Sequence, residues 1–188
     1  MLVIGRGPSV KEYPPELISW SAKCNLSVGC NNAGLDWPVD IICSIDYQWI
    51  LDNQEALRKV NKPIITRDWD CIKNLGLNLI PLNNNILKTC RLSGQTAIKC
   101  LDYIGQPLNL PVHVIGIDHT DIHYDGTSTN IPDIVPMDMY ESMGCNVVNL
   151  GKASKIKCWP RHYSLPGPDG VDKKTLPEII KAIKRMPL

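Results

Sequence analysis

Short apolar runs alternate with amphipathic stretches along most of this chain. The first run, Leu2-Val3-Ile4, is cut by Gly5 and predicts a strand at 2–4. Residues 16–20 read as a brief helix behind Pro14-Pro15, because proline is tolerated in a first helical turn. A second strand is expected at 26–29. Positions 39–45 are almost continuously apolar and partly β-branched, as in a strand covered on both faces. Asp46 ends that run. Residues 47–60 then read as one helix that offers Trp49, Ile50, Leu57 and Val60 for packing. Further strand signals stand at 64–65 and 77–80.

The interval 82–91 carries Asn83-Asn84-Asn85 and reads as an exposed loop. Ser93 is placed to cap a helix running to about Ile104, with Ala97, Ile98, Leu101 and Ile104 on one face and Gly105 as its stop. A strand at 112–117 precedes a polar stretch at 118–130, a short helix at 136–143 and a strand at 146–150. Residues 161–172 contain Pro166, Gly167, Pro168 and Gly170 and read as a linker. The last helix sets Leu176, Ile179, Ile180 and Ile183 on one face, with Lys181, Lys184 and Arg185 favourably placed near its C-terminus. No internal repeat stands out. Strands that alternate with helices predict an α/β chain, a Rossmann-like doubly wound and mostly parallel sheet with helices on both faces. Residues 1–160 would form this domain, and 161–188 the linker and an amphipathic helix packed on it.

Composition narrows the picture without changing it. The 188 residues suffice for one sizeable core and are too few for two ordinary domains. With 44% hydrophobic and 21% charged residues, a folded soluble chain is expected. Lys plus Arg total 20 against 19 Asp plus Glu, so no charge asymmetry marks a nucleic-acid groove or a membrane patch. No run approaches a membrane span, and the opening apolar residues are too few for a signal segment. The eight cysteines are therefore expected as reduced thiols in a cytoplasmic chain, with Cys43, Cys100 and Cys145 buried in apolar runs and no CxxC pair for a zinc site.

In a doubly wound sheet, ligands collect at the carboxyl ends of the strands. Four polar signals fall there. Gly5-Arg6-Gly7-Pro8-Ser9 can form a turn whose N–H groups converge on a phosphate, with the Ser9 hydroxyl as another donor; a tight turn without ligand fits equally. Pro8 and the lack of a third glycine separate it from the dinucleotide fingerprint, and no Gly-Lys-Ser/Thr follows as in a P-loop. Asn31 in Gly29-Cys30-Asn31-Asn32 suits a base edge or a ribose hydroxyl, or an Asx turn. Asp46 can meet a hydroxyl or a metal-bound phosphate, or cap the following helix. The Ser93-Gly94-Gln95-Thr96 helix start provides N–H groups and a field for anions. Facing it in sequence order is Gly116-Ile117-Asp118-His119, where Asp118, His119, Asp121 and His123 concentrate groups suited to proton transfer or a divalent cation. His119, Asp121 and His123 share a face if the loop is extended. His113, inside a strand, reads as a packed structural residue.

Taken in order, these segments resemble the Rossmann-like superfamily that includes CMP-sialic-acid-dependent bacterial sialyltransferases and pterin pyrophosphokinase-like proteins; small phage proteins carry the same pattern. The likeness spans about residues 2–118. It implies that Gly7, Pro8, Ser9, Asn31, Ser93 and Gly94 line a nucleotide site, to which the reading of the residues adds Gly5, Arg6 and Asp46 as candidates. The activity the resemblance implies is a nucleotide-dependent transferase, a glycosyltransferase-like protein using a nucleotide sugar; the polar loop itself, not the likeness, offers Asp118, His119 and His123 as catalytic candidates. Two alternatives stay open. One is an ATP- and Mg²⁺-dependent diphosphotransferase with Asp46 or Asp118 on the metal; the other is a non-catalytic viral nucleotide-binding protein of the host cytoplasm. In the sialyltransferases the catalytic histidine lies in a lid-like insertion well beyond the Gly-x-Asp strand. Here no histidine stands between His123 and His162. No residue set is assigned to a metal, the expected partner is a small nucleotide ligand, and oligomeric state is left open.

Overall fold

A computed structural model describes residues 1–82, 90–128, 136–152 and 154–186. Each apolar run forms a strand, mostly trimmed to its central residues: β1 (Leu2–Ile4), β2 (Ser27–Cys30), β3 (Ile41–Cys43), β4 (Ile64–Arg67), β5 (Leu79–Leu82), β6 (Val112–Ile115) and β7 (Val147–Asn149). They pair in the order β5-β4-β3-β2-β1-β6-β7, every pair parallel. The chain thus walks outward from β1 to β5, then returns across the sheet to place β6 on the other side of β1. That reversal is a topological switch point.

Strand alternation feeds two cores. Leu2 and Ile4 face one side, where they meet Ile18, Ala22 and Ala33 from α1 (Pro15–Cys24) and α2 (Asn32–Asp36). The same side continues under β3 and β4, where Ile42 and Ile64 pack with Ile50, Leu57 and Ile72 from α3 (Tyr47–Asp52), α4 (Gln54–Val60) and α5 (Asp70–Lys73). Val3, Val28, Ile41 and Ile65 face the opposite side and are covered by Ala97, Ile98 and Leu101 of α6 (Ser93–Gly105). Tyr140 of α7 (Asp138–Glu141) and Ile179 and Ile183 of α8 (Leu176–Lys184) join that core. The result is a doubly wound parallel α/β sheet with helices on both faces. Among the described residues no helix is long and apolar enough to cross a membrane.

Several boundaries differ from the sequence expectation, each for a local reason. The helix expected over 47–60 breaks at Asn53, whose side-chain amide donates to the Trp49 carbonyl at 2.8 Å and competes with helical continuation. Strand β6 stops at Ile115 rather than 117 because Gly116 turns the chain at φ 73°. The cap of α6 is Leu92, not Ser93, and the Gln95 side chain reaches back to the Leu92 N–H at 3.3 Å. The helix at 136–143 shrinks to Asp138–Glu141. Cys43 and Cys100 are buried and free, while Cys145 is half-buried. Most of the asparagine-rich interval 82–91 lies outside the described residues.

Candidate functional site at the switch point

Beyond their carboxyl ends, β1 and β6 are laced together by the glycines. Gly5 N–H donates to the Ile115 carbonyl at 2.8 Å and Gly7 N–H to the Gly116 carbonyl at 2.7 Å. The approach is so close that a Cβ at Gly116 would stand 2.7 Å from the Gly5 carbonyl oxygen. Ser9 completes the brace. Its N–H donates to Asp118 Oδ2 at 2.7 Å, its hydroxyl donates to Asp118 Oδ1 at 2.7 Å, and the same hydroxyl accepts from Gly116 N–H at 2.8 Å.

This arrangement changes the role of the first turn. The N–H groups of Gly5, Gly7 and Ser9 all have protein acceptors, and Pro8 has no N–H to offer. Gly7 is extended (φ −68°, ψ 162°), a conformation open to any residue; a side chain there would instead strike the Asp118 carboxylate. Gly5, Arg6 and Gly7 line the cleft, whereas Ser9 is fully buried behind them with its hydrogen bonds spent. Burial pushes the Asp118 carboxyl above the usual carboxylate range, and the two bonds from Ser9 restrain that rise.

The cleft lies between this brace and the start of α6. Ser93 ties the far wall together: its hydroxyl donates to Asn31 Oδ1 at 3.3 Å and accepts from Ile45 N–H at 3.1 Å. Asn31 stands at the end of β2 with φ 51° and ψ −127°, a backbone state that side chains rarely adopt. Gly94 admits Ile117, whose Cδ1 would lie 2.7 Å from an added Cβ. The first turn of this 13-residue helix presents backbone N–H groups without intrahelical acceptors.

Gln95 stands in the helix-start motif, but nothing in the sequence singles out its side chain for a ligand. It is fully buried and lines the cleft. Its Oε1 accepts from Arg91 N–H at 2.9 Å and from Leu92 N–H, which leaves Nε2 buried without an acceptor. A buried donor without a partner costs about 1–3 kcal/mol. The Gln at the third position of a helix was visible as half of a capping pattern; the unfilled amide was not.

The loop after Asp118 closes the third side. His119 is buried in a left-handed conformation (φ 52°), edge-on to Tyr140 at 5.5 Å, and Tyr140 is edge-on to Trp159 at 5.5 Å. His123 also lines the cleft, and burial and the neighbouring Arg6 lower its pKa, against the opposing pull of Asp125. Arg6 itself pairs with Asp125 and reaches Thr127 Oγ1 at 3.4 Å. Asp118, His119 and His123 therefore meet at one cleft, but Asp121 is exposed and does not join them. Asp46 also lies elsewhere, exposed at the start of α3, where its Oδ1 accepts from Gln48 and Trp49 N–H at 3.0 and 3.2 Å. His113 sits within β6, half-buried, as expected. Among the described residues no three His, Cys, Asp or Glu side chains gather to hold a metal ion.

The chain is thus a doubly wound parallel α/β protein with a cleft at the switch point between β1 and β6. No family model, no curated protein and no solved structure matches the chain.

Proposed function

We propose that this chain is a nucleotide-dependent transferase, glycosyltransferase-like, that takes a nucleotide sugar with its phosphate at the start of α6. One observation supports the reading: the Gln95 Nε2, buried without an acceptor, lies at the N-terminus of α6, where a helix's first N–H groups have no intrahelical acceptor. Such a terminus favours anions through both its donors and its field. Arg6 lines the same cleft and adds a cation for charge that develops on a leaving phosphate. Asn31 suits the ribose or base edge.

His123 is the favoured general base. A base must be unprotonated to act, and its lowered pKa keeps the imidazole neutral at pH 7. Asp118 serves as a brace instead, since both of its oxygens already accept from Ser9. The order of the glycine, asparagine and Ser-Gly segments, resembling the CMP-sialic-acid-dependent enzymes, supports the nucleotide-sugar class.

Calorimetric titration with CMP, UMP, ADP and their sugar conjugates tests this. The parent protein binds at least one of them, and Gln95→Glu weakens that binding tenfold or more, ~1.4 kcal/mol or more. The substitution keeps an oxygen for the Arg91 and Leu92 N–H groups while replacing the free donor with an acceptor. A folded parent that binds none of these nucleotides contradicts the reading.

A further inference from the structure

The segment from Thr120 to Ser128 folds over the Arg6 side of the cleft, closed on itself by a bridge between Ile122 and Ser128. Three ties hold it down. Tyr124 N–H donates to the Arg6 carbonyl at 2.6 Å, the Tyr124 hydroxyl donates to Asp36, and Asp125 pairs with the Arg6 guanidinium. The third tie is incomplete. Arg6 meets Asp125 and Thr127 through Nη2 alone, while its Nε is buried with no acceptor. A guanidinium binds carboxylate or phosphate best through two parallel N–H groups.

Asp125, by contrast, does not depend on Arg6. Its Oδ1 accepts from Thr127 N–H at 3.0 Å and from the Thr127 hydroxyl at 2.6 Å, so its own turn persists without the ion pair. The Asp125 side chain is also a third exposed, so water can solvate its carboxylate once Arg6 leaves, while the Arg6 side chain is the more buried partner.

We infer that Asp125 is a resident counter-ion that an incoming phosphoryl group displaces from Arg6, so that the cleft selects ligands by phosphate charge. The inference rests on the nucleotide reading and specifies which feature of the nucleotide is read. A phosphoryl group supplies several oxygens and can fill both Nη2 and Nε, where Asp125 fills one. A neutral nucleoside has nothing with which to compete. After exchange Asp125 remains on its Thr127 turn, and the 120–128 segment keeps only its Tyr124 ties.

Asp125→Asn is the informative variant, because an amide oxygen still accepts from Thr127 N–H while the charge that competes for Arg6 is gone. Inorganic pyrophosphate is the probe, measured by calorimetry, with hydrogen exchange of the 120–128 segment followed in parallel. With Arg6 held by Asp125 most of the time, removing the competitor tightens pyrophosphate binding about tenfold. The unliganded variant also exchanges faster over 120–128, and pyrophosphate produces the same acceleration in the parent. Arg6→Gln abolishes the pyrophosphate response in both backgrounds. Equal affinity of parent and Asp125→Asn, or no pyrophosphate binding by either, overturns the inference. The nucleotide reading fails separately, on the absence of nucleotide binding by the parent.

Discussion

Ser9 shows how far a residue's role depends on a partner the sequence does not disclose. Its position in a glycine turn suits a phosphate donor, yet its hydroxyl and N–H serve Asp118, 109 residues away. Ser9→Ala would leave an Asp118 oxygen and the Gly116 N–H without their partner, both buried. A stability loss of about 1–3 kcal/mol by chemical denaturation is expected, with nucleotide affinity changed less than threefold. A folded, fully stable Ser9→Ala protein with strongly weakened binding would return Ser9 to the ligand. Residue chemistry did identify most of the cleft: Arg6, Asn31, Ser93, Gly94, Asp118, His119 and His123 all reach it. What it missed is the Gln95 amide and the Tyr140 ring, because an unfilled donor and an edge-on aromatic contact arise only from packing across distant segments.

Among the elements, alternation and helical periodicity were legible wherever an apolar run was backed by long-range pairing. Breaks were less so. Asn53 splits the 47–60 segment through a side-chain bond to the backbone, and Gly116 ends β6 through a positive φ; neither alters the apolar pattern on which the expectation rests. The last helix is the clearest case of a pattern with a definite destination. Its apolar face was readable, and the structure lays α8 against β5 and α6, with Ile179 and Ile183 in the core of that sheet face. Ile183 is 1% exposed, so Ile183→Ala should cost about 2–5 kcal/mol and shift one cooperative unfolding transition. A loss below ~1 kcal/mol would mean that α8 is an appendage to the sheet rather than part of it.

At the scale of the molecule, a sheet that reverses its winding direction beside β1 leaves a crevice where the adjoining loops diverge. Here the β1 and β6 turns are fastened to each other, which leaves the α6 start and Arg6 along the cleft, with the buried Gln95 amide beside them. The order of apolar runs announced the fold class; the bracing role of the first turn required the long-range hydrogen bonds. Under the proposed function, an anionic nucleotide binds against α6 in this cleft. Amide-resolved NMR of the intact chain, titrated with the nucleotide that binds most tightly in calorimetry, tests it most directly. Saturable shifts are expected at the Ser93, Gly94 and Gln95 amides, at the Gln95 side-chain amide, and at Arg6, Asn31 and His123. Shifts confined to the outer groove around Arg67, Trp69 and Lys184, or no saturable shifts at all, would contradict it.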